Sequence, residues 1–298
     1  MNKQDNTFTP IGGLDRLRTG VPSYALALLT AVSFFNYLDR MVIAILLEPI
    51  KQELDLSDAQ MGLIAGFAFA ILYAVLGLPL ARIADRRSRI TLISICLVVW
   101  STMTAVTGLA RNFFELFAAR MAVGVGEAGC VPAAHSILGD LFPRERRAFA
   151  ISIFQAGGVL GQSVGLALAG LAAQLWGWRV ALFIVGLLGI PLMLLIFFTV
   201  REPVRSKEHA QASAESMMAT LKALFVRPPL VHLVLGVAVA SFGSYGMIQW
   251  LPAFFIRTHG LSLAEVGLYI GITGTIGGVV GTVFGGYALT RLGPRDVR

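Results

Sequence analysis

Four ionisable side chains stand inside stretches that are otherwise apolar: Asp39 and Arg40 in one, Arg120 and Glu127 in another. The two acids and two bases cancel in formal charge. An ionisable group in an apolar phase is costly, so it normally faces a cavity or an opposite charge. Such a set supports two kinds of chemistry. A guanidinium holds an anionic group, and a carboxyl takes up and releases a proton as its surroundings change. Arg120 and Glu127 are seven residues apart. A helix puts them on nearly one face, about 10 Å apart along its axis, too far for direct pairing without a bridging group. Asp39 and Arg40 are adjacent and point about 100° apart on a helix. One is therefore expected to face a cavity and the other a neighbouring helix. Asn36, one turn earlier, and His135, beyond Glu127, complete the candidate polar set. His135 equally fits a polar filler near a helix end, and the four charges equally fit a salt bridge network that only joins two helices. Glu48 and Asp58, at the ends of their stretches, are expected to be solvated.

The elements that position these residues are membrane spans. Of 298 residues, 56% are hydrophobic and 14% charged, against about 25% charged in soluble domains. Mean hydropathy is +0.75. Uncharged runs of 23, 21, 31, 21, 29 and 25 residues separate Asp58 from Arg82, Arg89 from Arg111, Arg147 from Arg179, Arg179 from Arg201, Arg227 from Arg257 and Glu265 from Arg291. Each is long enough to cross a bilayer core of about 30 Å as a helix. With the two charged stretches they predict eight spans, near 23–47, 60–81, 90–110, 116–138, 148–173, 178–199, 230–256 and 264–290. The fold class is all-α integral membrane.

Basic residues give the orientation. With the N-terminus in the cytoplasm, 18 of the 24 Lys and Arg residues fall in cytoplasmic segments, among them Arg82, Arg86, Arg87 and Arg89. Only Lys51, Arg111, Arg179 and Arg257 fall on the other side. This is the positive-inside pattern, and it predicts a multi-pass protein of the plasma membrane. The first 22 residues are polar and hold no cleavable signal pattern. Cys96 and Cys130 both lie inside spans and imply no disulfide framework. The basic balance reads as topology, so nucleic acid is not an expected partner.

The chain repeats itself at an offset of 205. Leu56-Ser57-Asp58-Ala59-Gln60-Met61-Gly62-Leu63 aligns with Leu261-Ser262-Leu263-Ala264-Glu265-Val266-Gly267-Leu268. Gly66 then meets Gly271, Ile71 meets Ile276 and Arg86 meets Arg291. Spans 2 and 8 are thus equivalent positions in two copies of one unit. The predicted organisation is a cytoplasmic segment 1–22, a six-helix bundle 23–200, a cytoplasmic linker 201–228 and two helices of a second bundle over 229–298. A second unit of six spans would make twelve, so the chain is expected to be a fragment with four spans missing. Glycines at 157, 161 and 165 and at 277, 281 and 285 have the spacing of closely packed membrane helices.

The loop after span 2 reads Ala81-Arg82-Ile83-Ala84-Asp85-Arg86-Arg87-Ser88-Arg89. It resembles the G-x-L-A-D-R-x-G-R signature of the major facilitator superfamily, with Ala81 and Ser88 in place of its glycines. The second copy, Gly286 to Gly293, keeps both glycines and Arg291 but has Thr290 at the Asp position. Arg120-x-x-x-Gly124-x-Gly126 resembles that family's span 4 signature. Within the superfamily, Asn36-Tyr37-Leu38-Asp39-Arg40, the Arg120/Glu127 spacing, Pro132 and His135 resemble the spinster branch of lysolipid and sphingolipid carriers. The resemblance implies the major facilitator fold, alternating access, and a latch at Asp85, Arg86 and Arg89.

Together these features predict a secondary transporter, not an enzyme, that moves an amphipathic anion or zwitterion such as a lysolipid. A proton is the expected coupling ion and no cofactor is implied. A monomer in the lipid bilayer is expected. Arg40 or Arg120 would hold the anion, and Glu127 or Asp39 would carry the proton. A multidrug or organic-anion carrier shares the same features. A channel would show polar stripes on several spans, and here the buried charge is confined to two; a receptor without transport is the other alternative from a different class. Gly161 to Gly165 fits G-x-S-x-G and Gly124 to Gly129 fits G-x-G-x-x-G, but both lie within apolar spans and lack the strand that either chemistry requires.

Overall fold

Pro22 opens the first helix, α1 (Pro22–Glu53), where a missing amide proton costs nothing because first-turn donors have no partner within the helix. The computed structural model describes residues 21–205, 226 and 228–292, without the side chains of Glu145 and of 279–292. Residues 1–20 of the expected N-terminal segment and most of the 201–228 linker lie outside the described residues.

Span 2 is a composite. A short helix α2 (Asp58–Gly62) passes into a π-helical turn (Leu63–Ala68) and then into α3 (Phe69–Arg86). Its start carries a reciprocal cap: Gln60 N–H donates to Ser57 Oγ at 3.2 Å, and Ser57 N–H donates to Gln60 Oε1 at 2.9 Å. The second copy carries the same device. Glu265 N–H donates to Ser262 Oγ at 3.3 Å, and Ser262 N–H to Glu265 Oε2 at 2.9 Å. The repeat read from the letters is thus also a repeat of helix-starting chemistry.

Ser88 and Asn112 cap the next two helices, α4 (Arg89–Thr107) and α5 (Phe113–Glu127). The expected single span 116–138 is interrupted, since α5 ends at Glu127 and α6 (Cys130–Leu141) begins after a two-residue break. Pro132 explains the position. It has no N–H to give the carbonyl four residues earlier, that of Ala128.

The expected spans 148–173 and 178–199 form one helical run, α7 (Arg144–Thr199), with no loop between them. Gly177 makes the turn at φ 83° and ψ 162°, a backbone region open to glycine alone. The arms run in opposite directions. Gly157, Gly161 and Gly165 of the first arm follow Thr30, Phe34 and Leu38 of α1, whereas Arg179 and Gly189 of the second meet Gly108, which caps α4, and Ser101 within it. The approach to α1 is close: a Cβ at Gly161 would lie 2.1 Å from the Phe34 carbonyl oxygen.

The last two helices are α8 (Pro228–His259) and α9 (Leu263–Leu292). α9 packs on the first arm of α7 through Gly267 and Gly271, which face the Leu166 and Ser163 carbonyls. The glycine stripe expected at 277, 281 and 285 is displaced from this contact. Gly277 has nothing near it, and the other two lie beyond the described side chains. Six helical runs among the described residues are long and apolar enough to cross a membrane by length and composition. α7 counts once among them although it has two arms.

Candidate functional site

Long side chains reach between α1 and α5, and their four charges pair crosswise. Arg40 Nε–H donates to Glu127 Oε2 at 2.6 Å. Arg120 Nη1 lies 3.5 Å from Asp39 Oδ2, an ion pair that falls short of a hydrogen bond. The Thr104 hydroxyl of α4 donates to the other Asp39 oxygen. Asp39 and Arg40 therefore both turn toward the α4–α5 side, and the expected division between a cavity and a neighbouring helix does not hold. The long arginine side chain makes this geometry accessible, because it spans the rise between helix turns. Glu127 and Arg120 each have an opposite charge on α1, so neither needs the bridging group that their own separation suggested.

Burial is nearly complete. Glu127 is 0% exposed, Arg120 1% and Asp39 2%, while the Arg40 side chain keeps 11%. The Arg40 guanidinium sits 5.1, 4.9 and 4.9 Å from the ring centres of Tyr37, Phe69 and Tyr73. Aromatic faces stabilise a cation electrostatically, so the ring enclosure offsets part of its desolvation. Several polar atoms of the site have no hydrogen-bond partner: Arg40 Nη2, Arg120 Nε and Nη1, Glu127 Oε1 and both amide atoms of Asn36. Donors and acceptors in excess of the internal pairs are what a polar ligand would use.

From the second copy, α8 brings Tyr245 and Gln249 toward the same region. Tyr245 lies within electrostatic range of Arg40, Arg120 and Glu127. Gln249 Nε2 donates to the Ala65 carbonyl at 3.3 Å and to the Tyr245 hydroxyl at 3.2 Å. Neither residue stood out in the sequence. Their signal was two polar side chains one turn apart in the uncharged run before Arg257. His135 does not join the charge pairs; it packs edge-on against Phe154 at 5.3 Å.

The two ends of the bundle carry further clusters. At the Lys51 end, Arg257 of α8 bonds Glu48 of α1 at 2.6 Å and both oxygens of Asp58 at 3.0 and 2.7 Å. Lys51 adds a 2.8 Å contact to Asp58. Glu48 is buried, contrary to the solvated position expected for it, because α8 closes over it. Asp58 is half exposed, outside the uncharged stretch. Hydrogen bonds from Arg257 and Lys51 hold its carboxyl at about 2, below the usual carboxylate range.

At the other end Arg89 is fully buried. It donates to Glu202 at 2.7 Å, Ser136 at 3.0 Å and the Pro203 carbonyl at 2.8 Å, and also pairs with Asp140. Glu202 in turn accepts from Ser88 and from Ile90 N–H, both at 2.9 Å. Asp85 and Arg86 of the expected latch are exposed. The Asp85 contribution is its backbone carbonyl, which accepts from Arg205. Of the three expected latch residues, the structure engages the Arg89 side chain.

Comparison with known proteins agrees with this architecture. The family model described as Major Facilitator Superfamily matches residues 29–298. An MFS-type efflux pump of Mycolicibacterium smegmatis is 37% identical over 275 residues, covering 92% of this chain and 64% of the relative. Protein spinster homolog 1 of Homo sapiens is 31% identical over 258 residues, covering 83% of this chain and 49% of the relative. The crystal structure of a bacterial homolog to the human lysosomal transporter spinster, inward-facing and unoccupied, aligns with a TM-score of 0.81 at 33% identity. That alignment covers 93% of this chain and 64% of the other. The chain spans less than two thirds of the length of each of these relatives. With its loop and span 4 signatures, its repeated helix caps and its helix packing in accord with these matches, the chain belongs to the Major Facilitator Superfamily.

Proposed function

We propose that the chain is the substrate-handling part of a secondary active transporter that works by alternating access and is coupled to protons. Its substrate is an amphipathic anion or zwitterion such as a lysolipid. The observation that carries this reading is the crossed pairing of Arg40 with Glu127 and of Arg120 with Asp39 in an otherwise apolar interior. An anionic group entering the site competes with Glu127 for Arg40. A buried carboxylate that loses its counter-charge is strongly disfavoured, and taking up a proton removes that cost. Substrate binding and proton uptake are thereby linked through one guanidinium. Release of the substrate restores the Arg40–Glu127 pair and expels the proton.

The basic residues support an N-terminus in the cytoplasm of a plasma membrane protein, with the Arg89 end inside and the Lys51 end outside. The Arg89–Asp140–Glu202 cluster then acts as an inner latch and the Arg257 cluster as an outer one, and the protein works as a monomer. A second reading is an organic-compound exporter of the same superfamily. The mycobacterial relative, described as an efflux pump, favours it. The deciding experiment is flux through the full-length protein in proteoliposomes, with lysolipids and organic anions as substrates and an imposed pH gradient. Lysolipid movement that follows the proton gradient supports the first reading. Movement of organic anions alone selects the second, and flux indifferent to the gradient removes proton coupling.

A further inference from the structure

Gln249 is 3% exposed, and the orientation of its amide is fixed by its neighbours. The Ala65 carbonyl can only accept, so the amide nitrogen must face it. That carbonyl belongs to the π-helical turn Leu63–Ala68, and such turns open the regular ladder so that carbonyls become available to other partners. The Tyr245 hydroxyl, at 3.2 Å from the same nitrogen, accepts from the amide as well, and Tyr245 lies within electrostatic range of Arg40, Arg120 and Glu127. The other end of the amide, Oε1, is then a buried acceptor with no donor. Buried acceptors are rarely left so in native proteins.

The other unmatched groups of the site include the acceptors Glu127 Oε1 and Asp39 Oδ2 and also donors, the opposite kind. Arg40 Nη2 and Arg120 Nε and Nη1 are cationic donors on α1 and α5. A single small molecule that satisfies both sets carries an anionic acceptor at one end of its head group and a hydrogen-bond donor at the other. Such a molecule also bridges the two copies of the repeat, since the arginines belong to one and Gln249 to the other.

We propose that Gln249 determines head-group specificity, accepting a hydrogen bond from an ammonium N–H of a zwitterionic substrate whose anionic group is held by Arg40 and Arg120. This rests on the crossed pairs being the substrate site. Tyr245 is a positioning residue that keeps the Gln249 carbonyl turned toward the substrate. A head group with the same charges but no N–H is held by the arginines alone.

The test compares binding of lysophosphatidylethanolamine with that of lysophosphatidylcholine, its N-trimethyl counterpart. The full-length protein is used in nanodiscs, as wild type, Gln249→Met, Tyr245→Phe and Arg120→Ala. Wild type is expected to prefer the ethanolamine form by about tenfold, the worth of one such hydrogen bond. Gln249→Met keeps the shape and removes the acceptor, so the ratio falls to about one, mainly through weaker ethanolamine binding. Tyr245→Phe lowers the ratio by a smaller factor and carries the test if Gln249→Met does not fold. Arg120→Ala weakens both ligands alike. A ratio unchanged in the Gln249 and Tyr245 variants, with both ligands still weakened by Arg120→Ala, overturns the role of Gln249 and leaves the substrate site in place. Binding of neither lipid, or binding indifferent to Arg120→Ala, overturns the substrate site and this proposal with it.

Discussion

Arg257 of α8 donates from Nε to Glu48 of α1 at 2.6 Å, so one guanidinium closes the Lys51 end between the two copies of the repeat. Its other nitrogens reach Asp58, just before the uncharged stretch of span 2. Replacing Arg257 by Ala removes every cross-repeat contact of this cluster. The expected result is faster labelling, from the Lys51 side, of a cysteine placed at Asn36, with little loss of folded protein. The pH dependence has a definite sign. The Asp58 carboxyl is held at about 2, below its ordinary 3.8. Its contribution is therefore present in full above its unfolded value and fades as pH falls toward about 2. Labelling of the wild type should stay slow across mildly acid pH. A rise in labelling between neutral pH and pH 5 would count against Asp58 as part of the closure.

Glu127→Gln tests the coupling. The amide keeps the shape and can still accept from Arg40, but it cannot ionise. Accumulation driven by a pH gradient should be abolished, while substrate binding and exchange stay within a few-fold of wild type. Flux and binding are to be measured side by side on matched amounts of folded protein. Normal coupling in this variant would leave Asp39 as the acid to examine. Arg40→Ala should lose binding and coupling together, because under the proposed coupling it removes the charge for which substrate and Glu127 compete.

The charged residues of the site were legible because an ionisable side chain in an apolar run has few innocent explanations. Their pairing was not. Helical geometry alone turns Asp39 and Arg40 about 100° apart, and only their side-chain contacts with Thr104, Arg120 and Glu127 show that both reach the same side. The partners Thr104, Tyr73, Tyr245 and Gln249 were illegible for a different reason: uncharged polar and aromatic residues are ordinary in a membrane helix. The break after Glu127 was signalled by Pro132. The loopless turn of α7 rested on Gly177, one glycine among 32. The burial of Glu48 is not legible locally, because its cover comes from a helix some 200 residues later, a contact that no local pattern announces.

Arg89 is the residue of the loop signature with the largest structural role. It is fully buried and serves two acids, a hydroxyl and a backbone carbonyl. Arg89→Ala is expected to destabilise the protein by about 3–5 kcal/mol, the range for removing one partner of a buried ion pair. Arg89→Lys should recover only part of that, since a point charge cannot reach three directions at once. Asp85→Asn should be nearly silent in the same thermal unfolding assay, because its carbonyl and not its carboxylate takes the Arg205 contact.

Gly161 measures the closeness of α1 and α7. A Cβ there would meet the Phe34 carbonyl oxygen at 2.1 Å, so even alanine forces the helices apart. Gly161→Ala should cost about 1–3 kcal/mol, as overpacked sites do. Gly277→Ala, facing open space, should be neutral within error in the same assay. Equal melting temperatures for the two variants would refute the close approach.

Orientation can be read with two single cysteines in a background lacking Cys96 and Cys130. Gln52→Cys and Arg87→Cys sit at opposite ends of the bundle and are both exposed. A membrane-impermeant maleimide applied to intact cells should modify the first and spare the second until the membrane is opened. The reverse pattern would invert the topology.

The π-helical turn at Leu63–Ala68 has a counterpart of a different shape. The aligned stretch of the second copy lies in α9, which runs as uninterrupted α-helix from Leu263 to Leu292. A π-turn advances the chain with more residues per turn than the 3.6 of an α-helix. Beyond Ala68 the two copies are therefore out of phase around their axes. Ile71 and Ile276 share a column in the alignment yet look in different directions. Beyond Ala68, facing directions in one copy cannot be projected onto the other by adding 205, although the caps at Ser57 and Ser262 still correspond.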